Sequence, residues 1–255
     1  WSKWWTSTKK LLKKDPYIKL TDGTPTTSII EFRTLPMTHH QEILERLTHN
    51  QEIDKKIEIA KKYISETKET ELCKETLNEI TNLFVKEADK LYGTQLSLAI
   101  ECLLLLEEIQ GYLKVEPGKY KNSVEAFIRG EEHLPELINN MSMLEYRKQA
   151  LGIIKKVKPE KWQDEFVSVF FVNSGNLWEF IIKGLIAENK QHIIEEIALK
   201  VSNHFNAYPE HYIWFCKNGM QGRYTELYKN VDSATMFNRL IELLDNIYFK
   251  IQKGR

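Results

Sequence analysis

The chain is short of the residues that break regular structure. Its 255 residues include only 11 glycines and 7 prolines, which excludes collagen-like and low-complexity sequence and disfavours a turn-rich all-β fold. Cysteine is equally scarce. Cys73, Cys102 and Cys216 are an odd number spaced far apart, so neither a secreted disulfide framework nor a C-x-x-C metal site is available, and a reducing, cytoplasmic setting is expected. No apolar run approaches ~18 residues. Residues 102–106 are followed at once by Glu107 and Glu108, and no signal-peptide pattern opens the chain, so no membrane partner is expected. Net charge is missing too: 36 Lys and Arg balance 36 Asp and Glu, which removes any global electrostatic drive toward nucleic acid, anionic membrane or acidic substrate. Any such attraction must be local.

What the chain has in quantity is helical periodicity. An apolar share of 42% over this length builds a core without disulfides or metal. Residues 1–14 form an amphipathic helix on the wheel, with Trp1, Trp4, Trp5, Thr8, Leu11 and Leu12 in one arc and Lys3, Lys9, Lys10, Lys13 and Lys14 opposite. Asp15-Pro16 stops it. Ile18 and Leu20, the Asp22-Gly23 turn signal, and Ile30 and Phe32 in a β-branched stretch predict a hairpin whose loop contains Pro25.

From Thr38, a plausible N-cap, the helical period takes over. Ile43, Leu44 and Leu47 form the first buried side, followed by the Ile57 and Ile64 segment and the Leu77, Ile80 and Phe84 segment. Residues 96–113 are apolar all round at 103–106 and predict a central helix. A looser region with Pro117, Gly118, Gly130 and Pro135 precedes a helix over 142–157, and Pro159 suits the first turn of the next. Helices carrying Trp178 to Ile186, Ile194 to Phe205 and residues 209–215 follow, and the last buries Phe237, Leu240, Ile241, Leu244, Tyr248 and Ile251. Short links make sequence neighbours antiparallel pairs. The expected fold is all-α, an α-solenoid-like array of helix pairs with an N-terminal helix and small hairpin, a globular bundle being the alternative. Residues 1–35 would form the basic helix and hairpin, and 36–255 the helical repeat domain. A first residue that is Trp rather than Met, and a helical pattern continuing to residue 255, read as an excised piece of a longer protein.

The lysine face is the chief chemical feature. Residues 1–20 hold six lysines against Asp15, a net of +5, which leaves −5 for the rest. Three readings stay open for Lys3, Lys9, Lys10, Lys13 and Lys14: a solvated outer face, a phosphate backbone bound by counterion release, or an acidic protein surface. The tryptophans, lying opposite, are read as packed rather than as a base-stacking platform. Helix plus hairpin could also be the second half of a winged helix.

Catalytic patterns fail. Six residues separate Gly111 from Gly118 where a phosphate-binding loop has four, and Tyr120 stands where Ser or Thr would be. His39, His40 and Glu42 lack zinc-helix spacing, and His204, His211 and Cys216 would have to converge through folding. Glu107-Glu108 and Glu131-Glu132 are adjacent and diverge on a helix. No enzyme activity, cofactor, metal or small-molecule substrate is expected. The aromatics from Trp162 to Phe215 are read as core, and the nine glutamates of residues 101–145 as exposed helix surface.

The segment Trp1-Ser2-Lys3-Trp4-Trp5, then Lys9-Lys10-Leu11-Leu12-Lys13-Lys14-Asp15-Pro16 and the hairpin, resembles the helical extension of long-form bacterial Gre-type transcription elongation factors. Phe171-Val172-Asn173-Ser174-Gly175-Asn176-Leu177-Trp178 and Tyr208-Pro209-Glu210 are a second point of similarity. The resemblance implies association with RNA polymerase and with transcribed DNA or RNA. The acidic G-D-L-S-E-N tip with which Gre factors promote transcript cleavage is absent, so an accessory role is implied. The alternative is a protein-interaction scaffold unrelated to transcription.

Overall fold

The computed structural model describes residues 2–13, 15–22, 27–67, 72–114, 118–172 and 175–253. Trp1, Lys14, Gly23, Pro25, Pro117, Asn173 and Ser174 lie outside the described residues. The fold is all-α with one two-stranded antiparallel hairpin, and its contacts divide it into two compact units. Among the described residues no helix is long and apolar enough to cross a membrane.

The first unit comprises residues 1–130 and 140–146. Helix α1 (Ser2–Leu12) leads into β1 (Ile18–Asp22) and β2 (Ser28–Phe32), paired with Ile18 opposite Phe32 and Leu20 opposite Ile30. Helices α2 (His39–His49), α3 (Ile53–Glu66), α4 (Lys74–Leu91), α5 (Leu96–Leu113) and α6 (Lys119–Gly130) follow. Thr38 caps α2 as expected: its hydroxyl accepts from Gln41 N–H while Gln41 Oε1 accepts from Thr38 N–H, a reciprocal capping box. Helix α5 is the centre, packed against α3, α4 and α6, with Leu104, Leu105, Leu106 and Ile109 buried. A helix apolar on every side finds neighbours on every side.

Glu101 corrects the expectation that the acidic stretch is exposed surface. It is wholly buried in α5, its carboxylate accepting from Ser142 Oγ at 2.8 Å and from Met143 N–H at 2.7 Å, just ahead of α8 (Leu144–Val157). An anion at a helix start meets unsatisfied N–H groups and the positive end of the dipole, which offsets its desolvation. Glu108 and Glu145 both grip the Lys61 ammonium at 2.9 Å, over the Tyr146 ring. Burial alone would lower Lys61, but these two carboxylates hold it above the ordinary lysine value. Glu107 accepts from Gly118 and Lys121 N–H.

The second unit comprises residues 131–139 and 147–255. It holds α7 (Leu134–Asn140), the body of α8, α9 (Trp162–Val172), α10 (Trp178–Ala187), α11 (Gln191–Asn203), α12 (Pro209–Met220), α13 (Glu226–Asn230) and α14 (Ser233–Lys253). Helices α6 and α7 occupy what the sequence reads as a looser region, because Gly130 and Pro135 bound helices there rather than break them. Pro159 lies in the turn before α9 rather than in its first turn.

The last helix departs most from its sequence pattern. Met236 and Leu243 are buried, while Phe237, Ile241, Leu244 and Tyr248 are 62%, 41%, 59% and 63% exposed. Two apolar stripes lie roughly 100° apart on α14, and the narrower one faces the unit. Arg239 fixes that choice by donating to Ser202 Oγ at 2.7 Å with its guanidinium over the Phe205 ring. Asn206 Nδ2 donates to Glu242 Oε1 beside it.

Candidate interaction site

Helix α1 and the hairpin present the site that the sequence singles out. Lys3 and Lys10 are exposed, Lys9 and Lys13 are half-buried, and the Lys9 ammonium sits 5.5 Å from the Trp5 ring centroid. Lys9 and Lys10 occupy the last turn, where cations complement the negative end of the helix dipole. Lys14 lies outside the described residues.

Trp4 corrects the packed reading. Trp5, Thr8 and Leu12 are partly covered, but Trp4 is 57% exposed and Leu11 is exposed as well. The apolar arc of roughly 120° is covered only in part. Trp4 and Leu11 therefore stand one heptad apart beside Lys3 and Lys10, also one heptad apart. The hairpin adds Phe32, 83% exposed although its partner Ile18 shares its face, and Leu35 follows it into solvent. The surface is thus aromatic, aliphatic and cationic together.

Arg33 holds this surface to the helical body. Its N–H donates to Tyr17 O at 2.7 Å, Nη1 donates to Met37 O at 3.2 Å, and Nη2 pairs with Glu42 Oε2 on α2 at 2.8 Å. Met37 N–H closes the loop onto Pro16 O at 2.8 Å. The sequence reading missed Arg33; its signal is a lone arginine at the hairpin exit nine residues before a first-turn glutamate.

In the second unit Trp178 of the other resembling stretch meets His211, which follows Tyr208-Pro209-Glu210, in the core. Phe170 O accepts both Trp178 Nε1–H and His211 Nε2–H at 2.9 Å, and the Trp178 and His211 rings lie 4.2 Å apart. Burial lowers the His211 pKa. Lys200 stands 4.2 Å over Phe171, which also meets Tyr208. Trp162, Phe166 and Phe215 are buried, in keeping with a core role for the aromatics.

The histidines and cysteines stay apart. His40 Nδ1 meets Tyr63 OH at 2.8 Å and His211 is committed to Phe170; among the described residues no three His, Cys, Asp or Glu side chains are grouped to hold a metal ion. Burial pushes the Cys216 thiol up to about 11 and Cys102 higher still, the opposite of an activated nucleophile. The Glu131 carboxylate accepts from His133 N–H and its carbonyl from Lys158 Nζ.

Comparison with known proteins bears on the helical body. No curated protein and no solved structure matches the chain. The family model of the GreA-associated C-terminal domain matches residues 39–255, from the first residue of α2 onward, so α1 and the hairpin precede the matched region. This match carries a relation to Gre transcription elongation factors. By sequence match over most of its length, the chain belongs to the GreA-associated C-terminal domain family.

Proposed function

We propose that the chain is a non-catalytic accessory module of a transcription elongation factor, and that it binds RNA polymerase, nucleic acid or both through α1 and the hairpin. The observation that carries this reading is the outward placement of Lys3 and Lys10 beside Trp4 and Leu11. Lysines alone suit a phosphate backbone. Exposed Leu11, Phe32 and Leu35 gain nothing from phosphates but are buried by a protein surface, which favours an acidic, partly apolar patch of the polymerase as the main contact. The non-catalytic part is supported by the structural use made of the buried Glu101 and His211 and the half-buried Lys61.

The test measures binding of the chain to RNA polymerase and, separately, to single- and double-stranded DNA, at ~50 mM and ~200 mM salt. Polymerase binding that the Lys3→Glu/Lys10→Glu variant and the Leu11→Ser/Phe32→Ser variant each weaken supports a protein contact. Steeply salt-dependent DNA binding lost only with the lysines shifts the contact to nucleic acid. Binding to neither at low salt rejects the proposal.

A further inference from the structure

The exposed stripe of α14 is independent of the α1 surface. Phe237, Ile241, Leu244 and Tyr248 alternate spacings of four and three, the seam of a coiled coil, in which each large side chain fits a hole on a facing helix. Such a seam is complementary to a helix of the same spacing and wasteful toward a flat or extended partner. We infer that α14 pairs antiparallel with α14 of a second copy of this chain.

Three features select that partner and direction. An antiparallel register centred between Glu242 and Leu243 sets Phe237 against Tyr248 of the second copy and Ile241 against Leu244, so large faces large and aliphatic faces aliphatic in both symmetric halves. The helix dipoles agree: antiparallel pairing brings the positive start of one α14 to the negative end of the other, whereas parallel pairing stacks like on like. Area agrees as well. The four exposed side chains from each copy, with their flanks, bury on the order of 1,000 Å² in total, the lower bound for a specific interface. A weak dimer results.

Sedimentation equilibrium on the whole chain, from micromolar to millimolar concentration, reads the association. A monomer–dimer equilibrium that Leu244→Glu weakens about 100-fold or more supports the inference, since the charge would be buried at the seam. Leu244 is exposed in the single chain, so unchanged circular dichroism and thermal unfolding verify that the variant folds. Direction is read by disulfides in a Cys73→Ser background. Mixing Phe237→Cys chains with Tyr248→Cys chains should yield the mixed disulfide. A monomer throughout, a dimer indifferent to Leu244→Glu, or a Phe237→Cys chain that cross-links mainly to itself would overturn it.

Discussion

Arg33 and Glu42 form a salt bridge of 2.8 Å that is mostly shielded from solvent and joins the hairpin exit to the first turn of α2. The pair spans nine residues, but its mechanical reach is larger. Arg33 also holds Met37 O, and Met37 N–H holds Pro16 O, so one guanidinium fastens both ends of the hairpin. Removing either partner leaves a shielded charge without its counterpart.

Arg33→Ala and Glu42→Ala should each cost about 1.5–3 kcal/mol, and the double variant much less than the sum. Thermal unfolding of the four proteins of this cycle measures the coupling. Additive losses would show that the pair does not hold the hairpin.

Glu101 is the second case. Glu101→Ala takes the acceptor from the part-buried Ser142 Oγ–H and Met143 N–H and opens a void where the buried carboxylate stood, with an expected loss of about 2–4 kcal/mol. Glu101→Gln retains one acceptor oxygen and should lose less. Urea unfolding distinguishes them, and equal losses would contradict the hydrogen-bonding account.

His211 makes stability depend on pH. Phe170 O can only accept, so Nε2 carries the proton, and burial among aromatic rings holds the folded pKa below 6.5. The unfolded chain therefore binds this proton first on acidification. The contribution is fully present above about pH 6.5 and is lost as pH falls below it. His211→Gln keeps a donor for Phe170 O and should flatten this part of the profile. Calorimetry of both proteins between pH 8 and pH 5 checks it; parallel profiles would remove His211 as the source.

Gly219 is fixed by its neighbour. A Cβ there would collide with the Tyr228 ring, whose hydroxyl donates to Cys216 O at 3.0 Å. Gly219→Ala should cost about 1–3 kcal/mol by displacing that ring. Tyr228→Ala in the same chain should recover part of the loss, which chemical denaturation can verify. The absence of any rescue would mean that the strain lies elsewhere.

Much of the fold is legible in the residues. The Thr38 cap, the uniformly apolar α5 and the buried stripes of α3, α4, α10 and α11 follow from local chemistry and the 3.6-residue period, which require no knowledge of partners. What escapes is whatever depends on a contact distant in sequence. Glu101 reads as solvent-facing until Ser142 and Met143, some forty residues on, arrive to receive it. Helix α14 carries two apolar stripes, and only Arg239 reaching Ser202 decides which is inward. The same holds for α1: the wheel separates lysine from tryptophan, but whether Trp4 is covered depends on how much surface the hairpin can offer.

The carbonyl oxygen of Phe170 collects the indole of Trp178 and the imidazole of His211, and so ties together two stretches of chain at which the sequence resemblance falls. A change in either ring would be transmitted to the other through a shared acceptor in the last turn of α9. The Trp178 and His211 stretches thus act as a rivet in the scaffold, and a partner has no need to read them.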